Sequence, residues 1–133
     1  MKFRESQPIY IQIAEYVCEK ILLKEWKPGD RIPSIRDLAV ELEVNPNTVA
    51  RTYDFLQTSD VIYNERGVGL FVSSKAHRNS LDYLQNEFLE HNLPHLFRRL
   101  ALLEMDVDSL KPYFDKYMRK HARSLSPAKN EDK

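Results

Sequence analysis

Two short amphipathic segments separated by a brief turn constrain the fold of this chain most. The first begins at Ser34, whose hydroxyl stands three residues before Asp37 in a pattern typical of a helix N-cap. The second begins at Asn45, another capping residue, and Pro46 follows where proline suits a first helical position. Their apolar residues recur at helical spacing and are Leu38, Ala39 and Leu42, then Val49, Tyr53 and Leu56. The sequence therefore predicts a helix-turn-helix.

The flanking segments complete a recognisable domain. Apolar residues at helical spacing predict a helix from Pro8 to about Lys24, and Arg31-Ile32 forms a short extended piece before Pro33. After the helix pair, β-rich runs at 61–63 and 68–72 flank a turn that contains Gly67. A hairpin in this position is a wing, so residues 1–73 are predicted to form a winged helix-turn-helix.

A leucine-rich and aromatic stripe follows the domain junction at Ser73-Ser74-Lys75. Pro94 is expected to divide the helix that carries it, and Asp106 to cap a last helix. Because two helices alone cannot bury such a stripe, residues 74–123 are predicted to dimerise about a two-fold axis. The proposed contacts are Leu81, Leu84, Phe88, Leu96, Phe97, Leu100, Leu110 and Phe114. The alternative is a monomer in which the stripe folds back on the winged domain, and the polar segment 124–133 is predicted to be disordered.

Composition indicates an ordinary globular protein of mostly α-helical class with a small β-wing. The 133 residues carry 20 basic and 20 acidic side chains, and residues 1–73 hold nine basic against eleven acidic ones. Bulk charge therefore does not favour nucleic acid, and any such role depends on where single arginines lie. Cys18 is the one cysteine, no run of 18 apolar residues exists, and no apolar signal core follows Met1. These features predict a cytoplasmic protein with Cys18 in its core.

The start of the second helix of the pair carries the chemistry. A helix N-terminus collects unpaired N–H groups and partial positive charge, which favours phosphate. Asn45, Asn47 and Thr48 are short hydrogen-bonding groups that can read base edges, and Arg51 lies one turn beyond Asn47. Arg36, in the first turn of the preceding helix with Arg31 and Ser34 nearby, faces the DNA backbone in such motifs, and Arg66-Gly67 would form the wing tip.

Four ordered motifs resemble one family of bacterial regulators. They are Pro8-Ile9-Tyr10-Ile11-Gln12-Ile13, Lys27-Pro28-Gly29-Asp30-Arg31-Ile32-Pro33-Ser34-Ile35-Arg36-Asp37-Leu38-Ala39, Asn45-Pro46-Asn47-Thr48-Val49 with Tyr53, and Arg66-Gly67-Val68-Gly69-Leu70-Phe71-Val72. Together they resemble the GntR family closely over the first 73 residues and loosely beyond. The Asn-Pro-Asn-Thr run, with Arg51 and the short C-terminal part, is similar to the YtrA-like subfamily.

The resemblance implies a homodimer that binds a palindromic operator, commonly as a repressor, and members of the subfamily are often linked to transporter operons. Carried over by position, the implied DNA-binding residues are Ser34, Arg36, Asn45, Pro46, Asn47, Thr48, Arg51, Tyr53, Arg66 and Gly67. Glu43 and Asp60 stand where the family usually has glycine. Asp is tolerable in a left-handed conformation and Glu less so.

Other functions stay open at this point. A winged helix can serve as a protein-interaction module without DNA, and the neutral charge favours that alternative. His91 and His95 stand four apart, a metal-ligand spacing, but Pro94 interrupts their helix, and we expect no metal and no cofactor. No set of residues resembles a catalytic site, so an enzyme is not expected. A small-molecule effector at the dimer seam is conceivable, although no residue marks its site.

Overall fold

The computed structural model, which describes residues 1–125, has the mostly helical architecture predicted above and one small antiparallel sheet. Its helices are α1 (Ile9–Leu22), α2 (Ile35–Leu42), α3 (Pro46–Thr58), α4 (Ala76–Glu87), α5 (Leu93–Leu102) and α6 (Lys111–Leu125). Its strands are β1 (Ile62–Glu65) and β2 (Gly69–Val72). The chain divides into one compact unit that ends at Asp82 and a second that begins at Tyr83.

Capping side chains set the start of both helices of the predicted pair. The Ser34 hydroxyl accepts a hydrogen bond of 3.1 Å from the backbone N–H of Asp37. The side-chain oxygen of Asn45 accepts one of 2.8 Å from the N–H of Asn47, and Pro46 is the first residue of α3. Each bond pairs a helical N–H that has no partner within its own helix. The helix-turn-helix prediction is therefore confirmed down to its caps.

Two left-handed residues end α2 and α3, at the positions where the family usually has glycine. Glu43 has a φ of 57° and Asp60 a φ of 56°. The Asp60 carboxylate accepts a 3.0 Å hydrogen bond from the Ser73 hydroxyl, which joins this turn to the end of the wing. Glu43 is exposed and is the C-cap of α2. The strain expected at Glu43 is therefore present in the fold.

Replacing Glu43 with glycine is expected to raise the free energy of unfolding by about 1 kcal/mol, because glycine has no Cβ clash at positive φ. Urea denaturation followed by circular dichroism measures the change. Val40→Gly is the control, since Val40 is exposed inside α2 and glycine there should lower the free energy of unfolding by roughly 0.4 kcal/mol. Equal effects of the two changes would contradict the assignment of strain to Glu43.

The core of the first unit forms where α3 packs against α1 and α2. Its largest fully buried side chains are Ile13, Val17, Leu38, Val49, Tyr53, Leu56, Val61, Ile62 and Val72. Cys18 is fully buried among them, as predicted, and this burial raises the pKa of its thiol to about 11. A thiol of that pKa stays protonated at neutral pH and is a poor nucleophile.

A hairpin closes the first unit. β1 and β2 pair antiparallel with Ile62 opposite Val72 and Glu65 opposite Gly69. The predicted extended piece at Arg31-Ile32 lies beside β2, since the Ile32 N–H donates to the Leu70 carbonyl over 2.9 Å. This bond holds the segment before α2 against the wing, so the position of the wing is fixed relative to the start of α2.

The first unit continues past the predicted junction at 73–74, because Ala76 and Ser80 on α4 are fully buried. The second unit contains a π-helical turn (Phe88–Asn92), α5, a 3₁₀ turn (Val107–Leu110) and α6. The π-helical turn lies just before Pro94, the second residue of α5, which lacks an N–H and divides the helix as expected.

The predicted cap at Asp106 is present at the start of the 3₁₀ turn, where its carboxylate accepts from Ser109 N–H over 2.9 Å. Ser124 and Leu125, which were expected in a disordered tail, are the last residues of α6. The rest of that predicted tail, 126–133, lies outside the described residues. Within residues 1–125, every helix is too short or too polar to cross a bilayer.

Candidate nucleic-acid interface

The start of α3 is an exposed polar surface. Asn45, Pro46, Asn47 and Arg51 are exposed and Thr48 is half-buried. The side-chain oxygen of Asn45 is engaged in the cap, so its amide N–H groups are the part that remains to donate. The first N–H groups of α3 add donors and partial positive charge at the same end. The surface can therefore donate hydrogen bonds to phosphate, and it can both donate hydrogen bonds to base edges and accept them.

A groove joins this surface to the start of α1. Its volume is about 390 Å³, and it is lined by Pro8, Ile9, Tyr10, Asn45, Asn47, Thr48 and Arg51. The Arg51 guanidinium lies over the Tyr10 ring, with its central carbon 3.9 Å from the ring centroid. Arg51 was predicted to lie one turn beyond Asn47, and its contact with a helix 41 residues earlier was not visible in the sequence.

A second groove joins the start of α2 to the wing. Its volume is about 310 Å³, and its lining includes Arg31, Ser34, Arg36, Asn64 and Gly69. The Arg31 guanidinium lies so close to Gly69 that a Cβ there would stand 2.8 Å from its Nε. Among residues 1–125, neither of these arginines has an ion-pair partner. Two unpaired guanidinium groups beside a helix N-terminus form an anion-binding surface.

The wing tip is a three-residue loop between the strands. Arg66 and Gly67 are both exposed, and Gly67 has a φ of 78° that favours glycine. The N–H of Val68 donates to the Glu65 carbonyl over 2.9 Å and closes the loop. Arg66 lines neither groove, so it would reach a ligand independently of them.

Tyr53 requires a correction, because a side chain that is fully buried cannot touch DNA. Its exposure is 0%, and its hydroxyl donates a 2.8 Å hydrogen bond to the Pro33 carbonyl. Burial raises the pKa of this hydroxyl well above its usual value. Tyr53 instead ties α3 to the segment that precedes α2. Its place on the apolar stripe with Val49 and Leu56 was the signal that predicted this burial.

The expected dimerisation residues divide by exposure. Phe88, Leu96, Phe97 and Phe114 are exposed, and Leu81, Leu84 and Leu110 are half-buried. Leu100 is a correction, since it is 6% exposed and thus belongs to the interior of the chain. Further large apolar side chains of the second unit are also exposed, namely Leu89, Leu102, Leu103, Met105, Val107, Tyr113 and Tyr117.

The histidines singled out above do not assemble a metal site in the described part of the chain. His91 lies 3.4 Å from the Glu87 carboxylate and 3.9 Å from that of Glu90. Across residues 1–125, no group of three His, Cys, Asp or Glu side chains converges to hold an ion.

Comparison with known proteins relates this chain to one family. The model for bacterial regulatory proteins of the gntR family matches residues 9–72. The HTH-type transcriptional regulator YhcF of Bacillus subtilis is 41% identical over 75 residues, which are 56% of this chain and 62% of that protein. The HTH-type transcriptional repressor YtrA of the same organism is 42% identical over 73 residues, 55% of this chain and 56% of that protein.

The match to these curated relatives thus covers less than two thirds of their lengths. A solved GntR-family transcriptional regulator from Bacteroides thetaiotaomicron is 36% identical, with a TM-score of 0.68 over 85% of this chain and 98% of that one. This structural match extends well beyond the winged helix. The chain therefore belongs to the GntR family of bacterial regulatory proteins, a family of transcription regulators and not of enzymes.

Proposed function

We propose that this chain is a transcriptional repressor that binds a palindromic operator in duplex DNA as a homodimer. The observation that carries the proposal is the exposed start of α3, where Asn47 and Arg51 share one face. Placed in a major groove, Asn47 and Thr48 meet base edges while Arg51 meets a phosphate. Arg36 contacts the backbone beside the wing, and Arg66 enters an adjacent minor groove.

Three features support the finer parts of this proposal. The relative YtrA is named an HTH-type transcriptional repressor. The exposed aromatic side chains of the second unit favour burial against a second copy, which is the simplest way to remove them from water. A two-fold dimer presents its two reading helices to half-sites about 34 Å apart or a multiple of that distance. The subfamily resemblance makes a neighbouring transporter operon the first target to test.

Replacing Arg51 with alanine is expected to weaken operator binding roughly tenfold, because one charge-assisted phosphate contact is lost. The slope of log affinity against log salt concentration should flatten by about one unit. Fluorescence anisotropy over a salt series measures both quantities. Arg78→Ala is the matched control, since Arg78 is an exposed arginine on α4 that pairs with Asp82 over 3.8 Å. An unchanged slope in R51A would remove Arg51 from the interface.

Footprinting on the promoter of the chain's own gene tests the whole proposal. We expect two protected half-sites related by a palindrome, and loss of transcription from that promoter when the protein is added in vitro. Binding to random duplex that does not vary with salt, together with no footprint, would instead favour a winged-helix module that binds protein.

A further inference from the structure

The contact between Arg51 and Tyr10 limits where the Arg51 guanidinium lies on α3, the helix proposed to read DNA. Arg51 is exposed, yet its guanidinium is held 3.9 Å from the centroid of the half-buried Tyr10 ring. Contacts of this kind attract a cation electrostatically when it lies within about 6 Å of the centroid. An arginine on an exposed helix otherwise samples many rotamers, and its side chain loses this conformational freedom when it binds a ligand. The ring therefore limits the positions that the Arg51 guanidinium occupies before DNA arrives.

Buried polar groups fix Tyr10 itself. The hydroxyl of Thr52, which is fully buried, lies 2.9 Å from the Tyr10 carbonyl and 3.1 Å from the Thr48 carbonyl. Thr52 directly follows Arg51, so the backbone that carries the ring is tied to the backbone that carries the cation. A threonine on the apolar face of a helix is costly unless its hydroxyl is paired. Here the pairing joins α1 to α3.

Gln12 holds the segment that precedes Tyr10. Its side chain is 2% exposed, its oxygen accepts from Arg4 N–H over 2.8 Å, and its amide lies 2.6 Å from the Arg4 carbonyl and 3.0 Å from that of Gln7. These bonds hold the segment before α1, which leads directly into the groove shared by Tyr10 and Arg51. The backbone of Tyr10 and the segment that precedes it are therefore both tied to buried polar side chains.

We propose that Tyr10 is a positioning residue for DNA binding, which holds the Arg51 guanidinium over its ring in the orientation that meets a phosphate. This inference rests on the proposed function above. The ring acts through Arg51, so its hydroxyl is not required. The pairing also explains why a domain with no excess of basic residues can use one arginine efficiently, because preorganisation lowers the cost of ordering it.

A double-mutant cycle on the full chain tests the proposal. Wild type, Y10F, Y10L, R51A and Y10L/R51A are compared by anisotropy on the footprinted promoter duplex and on a random duplex of equal length. Y10F should stay within about twofold of wild type, because the ring is retained. Y10L should lose roughly fivefold to tenfold, and the same Tyr10→Leu change should cost almost nothing when Arg51 is already alanine.

The outcomes separate this inference from the proposed function. A loss in Y10F equal to that in Y10L would mean that the hydroxyl itself binds DNA, and a Y10L loss that persists in R51A would mean a general structural role; either overturns the inference. An unchanged affinity in R51A would instead overturn the role of Arg51 in the proposed function. Thermal unfolding checks that Y10L is folded. The NMR shift of the Arg51 side-chain N–H should move downfield in Y10L, since the ring current is lost, and an unmoved signal would also overturn the inference.

Discussion

A chain that carries both Phe97→Asp and Phe114→Asp is expected to be monomeric and to bind its operator roughly 100-fold or more weakly than wild type. Phe97 on α5 is 47% exposed and Phe114 on α6 is 61% exposed. A carboxylate buried in an apolar interface without a partner is strongly unfavourable, so two of them should prevent association. Each monomer would then contact one half-site only, and the gain from linking two binding events would be lost.

Sedimentation velocity and anisotropy measure the two effects on the same samples. Phe97→Leu with Phe114→Leu is the matched control, because it keeps both side chains apolar and should remain dimeric. Circular dichroism verifies that the aspartate variant is folded, which exposed positions should allow. If the aspartate variant still formed a dimer and bound the operator as tightly as wild type, Phe97 and Phe114 would not lie in the dimer interface. A wild-type chain that sediments as a monomer would favour the alternative in which the stripe folds back on the winged domain.

Tyr53→Ala is expected to lower the free energy of unfolding by about 3–5 kcal/mol, the usual cost of truncating a buried aromatic side chain. Tyr53 is 0% exposed and touches the core shared by α1, α2 and α3. The total free energy of unfolding of a native domain is about 5–15 kcal/mol, so the variant should be partly unfolded at physiological temperature. Chemical denaturation followed by circular dichroism measures the loss.

Tyr53→Phe distinguishes a structural role from a contact with DNA. It keeps the ring and removes the 2.8 Å hydrogen bond to the Pro33 carbonyl, which should cost about 1–3 kcal/mol. Its operator affinity should match wild type at temperatures where it is folded. A large loss of affinity without loss of stability would restore Tyr53 to the list of DNA contacts.

Local chemistry made most of the helix-turn-helix predictable. Ser34 and Asn45 cap helices because their side-chain oxygens reach N–H groups two or three residues ahead, and no distant residue is needed. Glu43 and Asp60 end helices in the left-handed conformation for similar local reasons. The apolar period placed Tyr53 on the buried face, and that evidence from periodicity outweighs its position in a family motif.

Contacts between distant segments were beyond such reasoning. Tyr10 and Arg51 are separated by 41 positions, and Arg31 meets Gly69 across the wing. Buried polar residues were missed for the same reason, since Gln12 and Thr52 are stable in the interior only where partners from other segments pair them. The burial of Leu100 also depends on its surroundings, because its neighbours Leu96 and Phe97 on the same helix are exposed.

By itself, the sequence of this chain determined the order of its elements, the starts of α2 and α3, the wing and the exposed start of the reading helix. These follow from interactions over a few residues, whose outcome the backbone and nearby side chains decide. Only the tertiary structure decided that the Tyr53 hydroxyl pairs with the Pro33 carbonyl, that Arg51 rests on Tyr10 and that Arg31 lies on the wing. Each of these depends on packing between elements far apart in the chain, and no local pattern encodes such a distance.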